Sequence, residues 1–285
     1  SFGNYEDVLS NKNVDAVYIS LPPALQEKWV ILAAKAKKHI ICEKSTATSF
    51  ISAKKMIGEC KKNGVRIMEG FSFLYHPQHK MVLNYLKHNK IGIPFFLDAK
   101  FGFNLHKSAK NFRLQKKLGG GILNDVACYV IKISSIVFQD LPISVLCNLT
   151  YDKKYKIDVH GSIYMTFKNN KTATGFFGYS NSFQSCYEIW GTNGLLNVEK
   201  AFNLRKNKSG KLSLSTDDST KSSIVRPSDQ FQLMIEDFSN CLSNTKLNHE
   251  NDILKQAFIM DCARKSASQM KLIKIKNVKQ FLGVE

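Results

Sequence analysis

The chain has 285 residues, of which 44% are hydrophobic and 22% are charged, a composition typical of a globular protein with one large or two medium domains. The formal net charge is +18, but the basic residues are spread along the whole chain in runs of no more than two, so the charge does not indicate a nucleic-acid-binding protein. The same excess of positive charge would attract a phosphorylated substrate or cofactor.

The first part of the chain alternates between strand and helix patterns. Short β-rich runs are predicted at 14–20, 39–43 and 65–69, and helices with one apolar face are predicted between them, over 25–36 and 50–60. Thr46 is the candidate N-cap of the second helix, and Asn63-Gly64 gives its stop signal. Strand–helix repeats of this length predict right-handed βαβ units and a parallel sheet.

After residue 75 the pattern changes to one of antiparallel strands with flanking helices. The predicted elements are, in chain order, a helix from Pro77, a strand over 95–103, a polar loop, the run Gly119–Gly121, a helix over 123–137, strands over 159–167, 172–179 and 185–190, loops and a short edge strand within 206–228, and two helices at about 229–243 and 252–270. The predicted fold class is a partial Rossmann-like parallel sheet followed by a large, mostly antiparallel sheet with helices.

The faces of the predicted large sheet suggest a second copy of the chain as a partner. One strand has an apolar face formed by Val159, Ile163, Met165 and Phe167, and the alternate residues are only partly polar. A sheet that is partly apolar on both faces favours pairing with another sheet, so a homodimer through this sheet is predicted.

The cysteines and the apolar runs exclude several other classes. The number of cysteines, seven, is odd, and no two of them form a C-x-x-C pair. They are therefore interpreted as buried reduced thiols rather than as a disulfide framework or a metal site. No apolar run reaches the roughly 18 residues of a membrane span. The first residues lack the basic and apolar regions of a signal peptide. A cytoplasmic protein without a membrane partner is expected.

Three segments resemble the glucose–fructose oxidoreductase and inositol dehydrogenase (Gfo/Idh/MocA) family. Residues 41–46 resemble the family's Glu-Lys-Pro motif at a strand end, 68–78 its crossing between domains, and 112–129 its glycine loop and the helix that carries Asp and a His or Tyr four residues later. Each segment alone is weak, but their order and spacing agree. The resemblance implies a nucleotide-binding domain over 1–73 and a substrate and dimerisation domain over 74–285.

The resemblance implies an NAD(P)-dependent oxidoreductase acting on a carbinol of a sugar, nucleotide-sugar or polyol-like substrate. Lys44 would hold the reacting oxygen, Tyr129 would be the acid or base, and Asp125 would orient the substrate or relay the proton. Tyrosine's ordinary pKa of about 10 is too high for a base, and the Lys44 ammonium would lower it. Which of Lys44 and Tyr129 is the base stays open.

Each of these residues also has a simpler interpretation. Asp125 and Tyr129 share a helix face at i and i+4 and could be a surface pair or core packing, and Lys44 could be an exposed strand-end lysine. Arg113 and His76 are candidate substrate-binding residues, or a solvated loop arginine and a structural histidine. The candidate cofactor-binding residues are Leu21, Pro22, Gln26, Glu43 and Lys44.

The sequence departs from the family pattern near its start. Gly3 is the only glycine before Gly58, so the G-x-G-x-x-G turn that binds the pyrophosphate is not seen. We expect the first βα units of the nucleotide domain to be missing, and binding of NAD or NADP to be weak or absent. The alternative function is therefore a catalytically impaired, truncated homologue that acts as a binding or dimerisation module.

Overall fold

The computed structural model describes residues 2–106, 108, 110–243 and 249–276, which form two β-sheets with helices on their faces. The strands are β1 (Ala16–Ile19), β2 (His39–Glu43), β3 (Ile67–Gly70), β4 (Pro94–Phe103), β5 (Ser144–Tyr151), β6 (Asp158–Thr166), β7 (Thr172–Tyr179), β8 (Gln184–Gly191), β9 (Gly194–Glu199), β10 (Gly210–Ser215), β11 (Thr220–Val225) and β12 (Ile273–Lys274). The helices are α1 (Tyr5–Ser10), α2 (Pro23–Lys35), α3 (Phe50–Asn63), α4 (Pro77–Lys87), α5 (Cys128–Phe138), α6 (Gln230–Ser243) and α7 (His249–Gln269). A π-helical turn, Leu123–Ala127, leads into α5.

The first sheet is parallel, in the order β1-β2-β3, as predicted. Its helix α3 ends at Gly64, which adopts φ 68° and closes the last turn with its own N–H. The predicted N-cap Thr46 is wrong: Ser49 caps α3, because its side chain accepts the N–H of Ser52. Thr46 instead donates its N–H to Glu69.

The second sheet has nine strands in the order β11-β10-β9-β8-β4-β7-β6-β5-β12. Only β4 and β7 pair in parallel, and the other neighbours are antiparallel, so the predicted fold class is confirmed. The prediction for 206–228 is incomplete: this segment forms two strands, β10 and β11, joined as a hairpin at the sheet edge. Their exposed Ser and Lys side chains hide the strand pattern.

Helices α6 and α7 pack against the first sheet. Ile253, Leu254 and Ala257 of α7 belong to the hydrophobic core around that sheet, and Met234 and Phe238 of α6 belong to a smaller cluster beside it. A division of the chain after residue 73 stays a prediction, because the later helices complete the core beside the earlier sheet.

Helix α5 is the central helix of the larger core. The segment Lys116–Phe138 is long and apolar enough to cross a membrane by composition alone, but 72% of its apolar window is buried inside the fold. Such burial is typical of a core helix that packs on a sheet. All seven cysteines are free, and only Cys186 is not fully buried.

An ion pair links α7 to the first sheet. Arg66 Nε lies 2.7 Å from Glu250 Oε1, with side-chain exposures of 21% and 11%. Burial alone would raise the pKa of Glu250, but the hydrogen bonds from Arg66 hold it below its ordinary value. The stabilisation is therefore present above the ordinary glutamate pKa of about 4.3 and is lost as pH falls through the lower folded-state pKa.

We expect Glu250→Gln to lower the free energy of unfolding at pH 7 by about 2 kcal/mol, because the partly buried guanidinium of Arg66 loses its counter-charge. The difference from wild type should shrink below about pH 4 as Glu250 becomes protonated. The matched control is Glu199→Gln, whose ion pair with Lys211 is equally short at 2.7 Å but about half exposed; it should change stability by no more than about 0.5 kcal/mol. Urea unfolding measures both, and equal losses would contradict the prediction.

Candidate functional site

A cleft of about 340 Å³ lies at the carboxyl ends of β1 and β2. Its other walls are the loop around Arg113, the glycines Gly119 and Gly120, and the π-helical turn that carries Asp125. Ligands of open parallel sheets bind at this end of the strands. Of the predicted site residues, the cleft is lined by Leu21, Pro22, Glu43, Lys44, Arg113 and Asp125.

Asp125 is the centre of the site. Its Oδ1 lies 3.0 Å from Lys44 Nζ, and its Oδ2 lies 2.7 Å from Arg113 Nε and accepts the hydroxyl of Tyr179 at 3.1 Å. Lys44 also donates to the backbone oxygen of Asp125 at 2.5 Å. The carboxylate therefore joins two cations and one hydroxyl, and it joins β2 to the helix packed on the second sheet.

Lys44, Arg113 and Asp125 each stabilise the charged form of their partners. Burial alone would raise the pKa of Asp125, but Lys44 and Arg113 hold it below its ordinary value. Burial would likewise lower the pKa of Lys44, but Asp125 holds it above its ordinary value. Lys44 is therefore an ammonium at neutral pH.

Polar contacts fix the two segments that carry Lys44 and Asp125. Ser45 donates its hydroxyl to the backbone oxygen of Asn124 at 2.9 Å, which joins the two segments directly. The side chain of Asn124 donates to Gly119 O and accepts from Arg264 of α7. Asp125 is therefore held by its neighbour as well as by its own partners.

Tyr129 lies beneath Lys44 rather than on the cleft wall. Its ring packs edge-on against Phe71 and Phe101, and the ammonium of Lys44 is 4.9 Å from the ring centroid. Within the part of the chain that the structure describes, its hydroxyl has no hydrogen-bond partner. The expected lowering of its pKa is wrong: Lys44 acts in that direction, but burial raises the pKa of Tyr129 to about 12.

In addition to Tyr129, the predicted site residues His76 and Gln26 lie outside the cleft. His76 is 1% exposed and caps α4, because its Nδ1 accepts the N–H of Gln78. Gln26 is fully buried, and its amide nitrogen donates to the backbone oxygens of Leu21 and Glu43 at 2.9 and 3.1 Å. Gln26 thus braces the carboxyl ends of β1 and β2, and His76 has a structural role at a helix start.

The sequence analysis did not identify two tyrosines that lie at the site. Tyr179, at the end of β7, is 1% exposed and reaches Asp125 only because the second sheet packs on α5. Tyr18, on β1, donates its hydroxyl to Glu43. Tyr18 is one residue from the end of its strand and directly opposite Ile41 of β2, a placement that the strand pattern could have signalled. No local pattern points to Tyr179.

The cleft fits one end of a dinucleotide better than the whole. Leu21, Pro22 and Lys44 offer apolar surface and one ammonium, which suit a nicotinamide and its ribose. A Cβ on Gly119 would lie 3.1 Å from both Ala24 N and Pro23 Cβ, so glycine allows the loop to close against the first turn of α2. The sequence has no G-x-G-x-x-G turn to donate backbone N–H groups to a pyrophosphate.

A metal centre has no support among the residues described. No group of three or more His, Cys, Asp or Glu side chains lies close enough there to hold an ion. The polar chemistry of the cleft therefore rests on Lys44, Arg113, Asp125 and Glu43.

We expect Asp125→Asn to lower the free energy of unfolding by about 3 kcal/mol at pH 7, because the nearly buried Lys44 loses its counter-charge. Adding Lys44→Met removes that unpaired charge, so the double variant should be more stable than the sum of the single effects by roughly 2 kcal/mol. Denaturant unfolding of the two single variants and the double variant measures this coupling. Additive losses would show that Lys44 and Asp125 do not interact.

Family models match both parts of the chain. Residues 1–71 match the model of the oxidoreductase family, NAD-binding Rossmann fold, and residues 79–197 match the Gfo/Idh/MocA C-terminal domain. A dTDP-3,4-didehydro-2,6-dideoxy-alpha-D-glucose 3-reductase from Actinomadura kijaniata is 29% identical over 266 residues, which cover 92% of this chain and 80% of that protein. A D-xylose 1-dehydrogenase (NADP(+)) from Haloferax volcanii is 27% identical over 242 residues, which cover 85% and 74%.

The solved structures agree with these matches. A 3-ketoreductase from Actinomadura kijaniata, in complex with NADP and TDP-benzene, has a TM-score of 0.87 to this chain at 27% identity, covering 92% of this chain and 81% of that one. An aldose-aldose oxidoreductase from Caulobacter crescentus, at 22% identity, has the same fold with a TM-score of 0.87. The relatives named above act on sugars or nucleotide-sugars. Because the sequence motifs, the sheet order and the family models agree, the chain belongs to the Gfo/Idh/MocA family of NAD(P)-dependent oxidoreductases.

Proposed function

We propose that this protein transfers a hydride between NAD or NADP and a carbinol or carbonyl carbon of a sugar or nucleotide-sugar. The observation that supports the proposal most directly is the Lys44–Asp125–Arg113 group in a cleft at the carboxyl ends of β1 and β2. NAD or NADP, when bound, supplies the ring that carries the hydride. Leu21, Pro22 and Glu43 would hold its nicotinamide end against the strand ends.

In this proposal Lys44 holds the reacting oxygen of the sugar. Its ammonium is fixed by Asp125 and stabilises negative charge on that oxygen in the transition state. Tyr129, whose pKa is raised to about 12 by burial, keeps its proton at neutral pH, and we assign it as the acid for the reacting oxygen. Two protonated groups suit the reduction of a ketone, and the reverse reaction becomes easier as pH rises.

The solved relatives support this choice of residues. They include variants of the Actinomadura kijaniata 3-ketoreductase in which one lysine or one tyrosine is replaced. The two replaced positions are separated by nearly the same stretch of chain as Lys44 and Tyr129. Tyr179 lies much farther from Lys44 along the chain, so Tyr129 is the better candidate for the acid or base.

A negatively charged substrate is favoured by the loop that forms one wall of the cleft. Between residues 104 and 121 the sequence contains Lys107, Lys110, Arg113, Lys116 and Lys117 and no Asp or Glu. The Lys44–Asp125–Arg113 group keeps one net positive charge, and the loop sequence adds lysines without any carboxylate, so the local charge favours an anionic group. A phosphate-linked sugar therefore fits better than a neutral one.

The test is NADH- or NADPH-dependent reduction of a nucleotide-linked keto-sugar, compared with oxidation of free aldoses such as D-xylose. We expect turnover of the nucleotide-linked substrate, and a fall in kcat of at least about 100-fold in both Lys44→Ala and Tyr129→Phe. The matched controls are Lys38→Ala and Tyr75→Phe, a buried lysine and a mostly buried tyrosine whose polar atoms bond Asn11 and Asp237 outside the cleft.

The controls should keep most of the activity. Equal losses in the controls and the site variants would contradict the assigned roles. A folded protein that binds the sugar but turns over neither substrate would favour the binding or dimerisation module instead.

We further propose a homodimer through the second sheet. The face of this sheet turned away from α5 exposes Leu146, Tyr164, Phe176 and Trp190, which are 41–56% exposed. Paired residues of adjacent strands point to one side, so the register of β5, β6, β7 and β4 places the first three on the same face. A row of large apolar side chains on an open sheet favours burial against a second copy.

Light scattering during size exclusion should give twice the chain mass of 32.3 kDa for the wild type, and monomer for Phe176→Lys, because a charge would be buried in the interface. Phe231→Lys on α6, whose native side chain is similarly exposed at 46%, should stay dimeric. A monomeric wild type would refute the proposal.

A further inference from the structure

Asp158 lies at the start of β6, outside the cleft, and accepts hydrogen bonds from the segment that carries Asp125. Its Oδ2 accepts the N–H of Leu123 at 2.6 Å. This N–H group begins the π-helical turn and has no partner within a helix. A carboxylate at this end is also favoured by the helix dipole.

The backbone next to Asp158 is shaped to admit it. Gly121 has φ 117°, and a Cβ on it would lie 2.2 Å from Asp158 Oδ1. Only glycine permits both this conformation and this approach. Gly121 also donates its N–H to Arg113 O at 3.0 Å and accepts the N–H of Asp125 at 3.1 Å.

The contacts of Asp158 therefore constrain two residues of the site, Arg113 and Asp125. They fix Leu123 directly, and through Gly121, which lies against the carboxylate, they fix the backbone of Arg113 and Asp125. A small rotation of this turn would move the Asp125 carboxylate away from the Lys44 ammonium, which approaches from the other sheet. Displacements of about 1 Å in such a site can cost roughly 100-fold in rate.

We propose that Asp158 is a positioning residue that sets the orientation of Asp125 and, through it, the charge state of Lys44. The inference rests on the proposed function for its effect on turnover, but its effect on Lys44 can be measured without turnover. Asp158 touches neither the cleft nor the proposed substrate, so it acts only through the backbone of the glycine loop and the π-helical turn.

The first variant is Asp158→Asn, which keeps the shape but removes the charge and replaces one acceptor oxygen with an NH2 group that cannot accept an N–H. Its matched control is Asp152→Asn, six positions earlier in the connection between β5 and β6. Asp152 accepts the N–H groups of Lys154 and Tyr155 in a turn with no site residue. Gly121→Ala is a second variant, because its Cβ would displace the Asp158 carboxylate.

Two quantities are measured for each folded variant. Steady-state kinetics give kcat and KM, and competitive labelling with trace acetic anhydride, followed by mass spectrometry over a pH series, gives the titration midpoint of Lys44. Lys44 faces Asp125, Tyr129 and Cys128, so weaker contact with Asp125 lowers its midpoint. We expect Asp158→Asn and Gly121→Ala to lower kcat by about 10- to 100-fold with little change in KM, and to lower the midpoint by about one pH unit or more. Asp152→Asn should change neither.

An unchanged titration midpoint of Lys44 in Asp158→Asn overturns the proposal. This holds if the variant keeps its activity, and also if its activity falls only as much as the amount of folded protein falls. A lower midpoint in Asp152→Asn as well would also overturn it, since the effect would then be general. If the wild type has no turnover but the Lys44 midpoint falls only in Asp158→Asn and Gly121→Ala, the positioning role stands and the proposed function fails.

Discussion

The pairing of Lys44 with Asp125 is the interaction on which the rest of the cleft depends. Side chains that are 13% and 9% exposed could not hold opposite charges in isolation, because an unpaired buried charge costs several kcal/mol. Each charge therefore requires the other. Since Lys44 follows β2 and Asp125 precedes α5, this mutual requirement fixes the distance between the two sheets at the point where the cleft opens.

Asp125 does more than neutralise one lysine. An ionised carboxylate has acceptor positions for several donors, and here Lys44, Arg113 and Tyr179 occupy them. The three-member group of Lys44, Asp125 and Arg113 carries one more positive charge than negative. Charge of that sign, already oriented before a substrate arrives, is what stabilises a developing oxyanion at little reorganisation cost.

Sequence reasoning succeeded where local pattern and tertiary structure agree. The strand His39–Glu43 was predicted at its observed bounds, because it is short, apolar and flanked by clear helix signals, and Lys44 was placed at its carboxyl end for the same reason. Only one short edge strand was predicted where the hairpin over 210–225 has two, because polar side chains on an edge strand give no apolar alternation. For His76, before Pro77, the sequence left open a substrate-binding or a structural histidine, and its hydrogen bond to Gln78 agrees with the structural one. Tyr179 could not be found, since only the pairing of distant strands brings it to Asp125.

The packing of α6 and α7 on the first sheet has a consequence for the order in which the protein matures. The salt bridge that closes this packing joins residues 184 positions apart. At a synthesis rate of 5–20 residues per second, the helices are synthesised roughly 10 to 40 seconds after the sheet residues that they cover. During that interval Ile41 and Met68, buried in the finished protein, are without their cover. Because the strands are made before the helices that cover them, the nascent chain exposes apolar surface of the kind that chaperones bind.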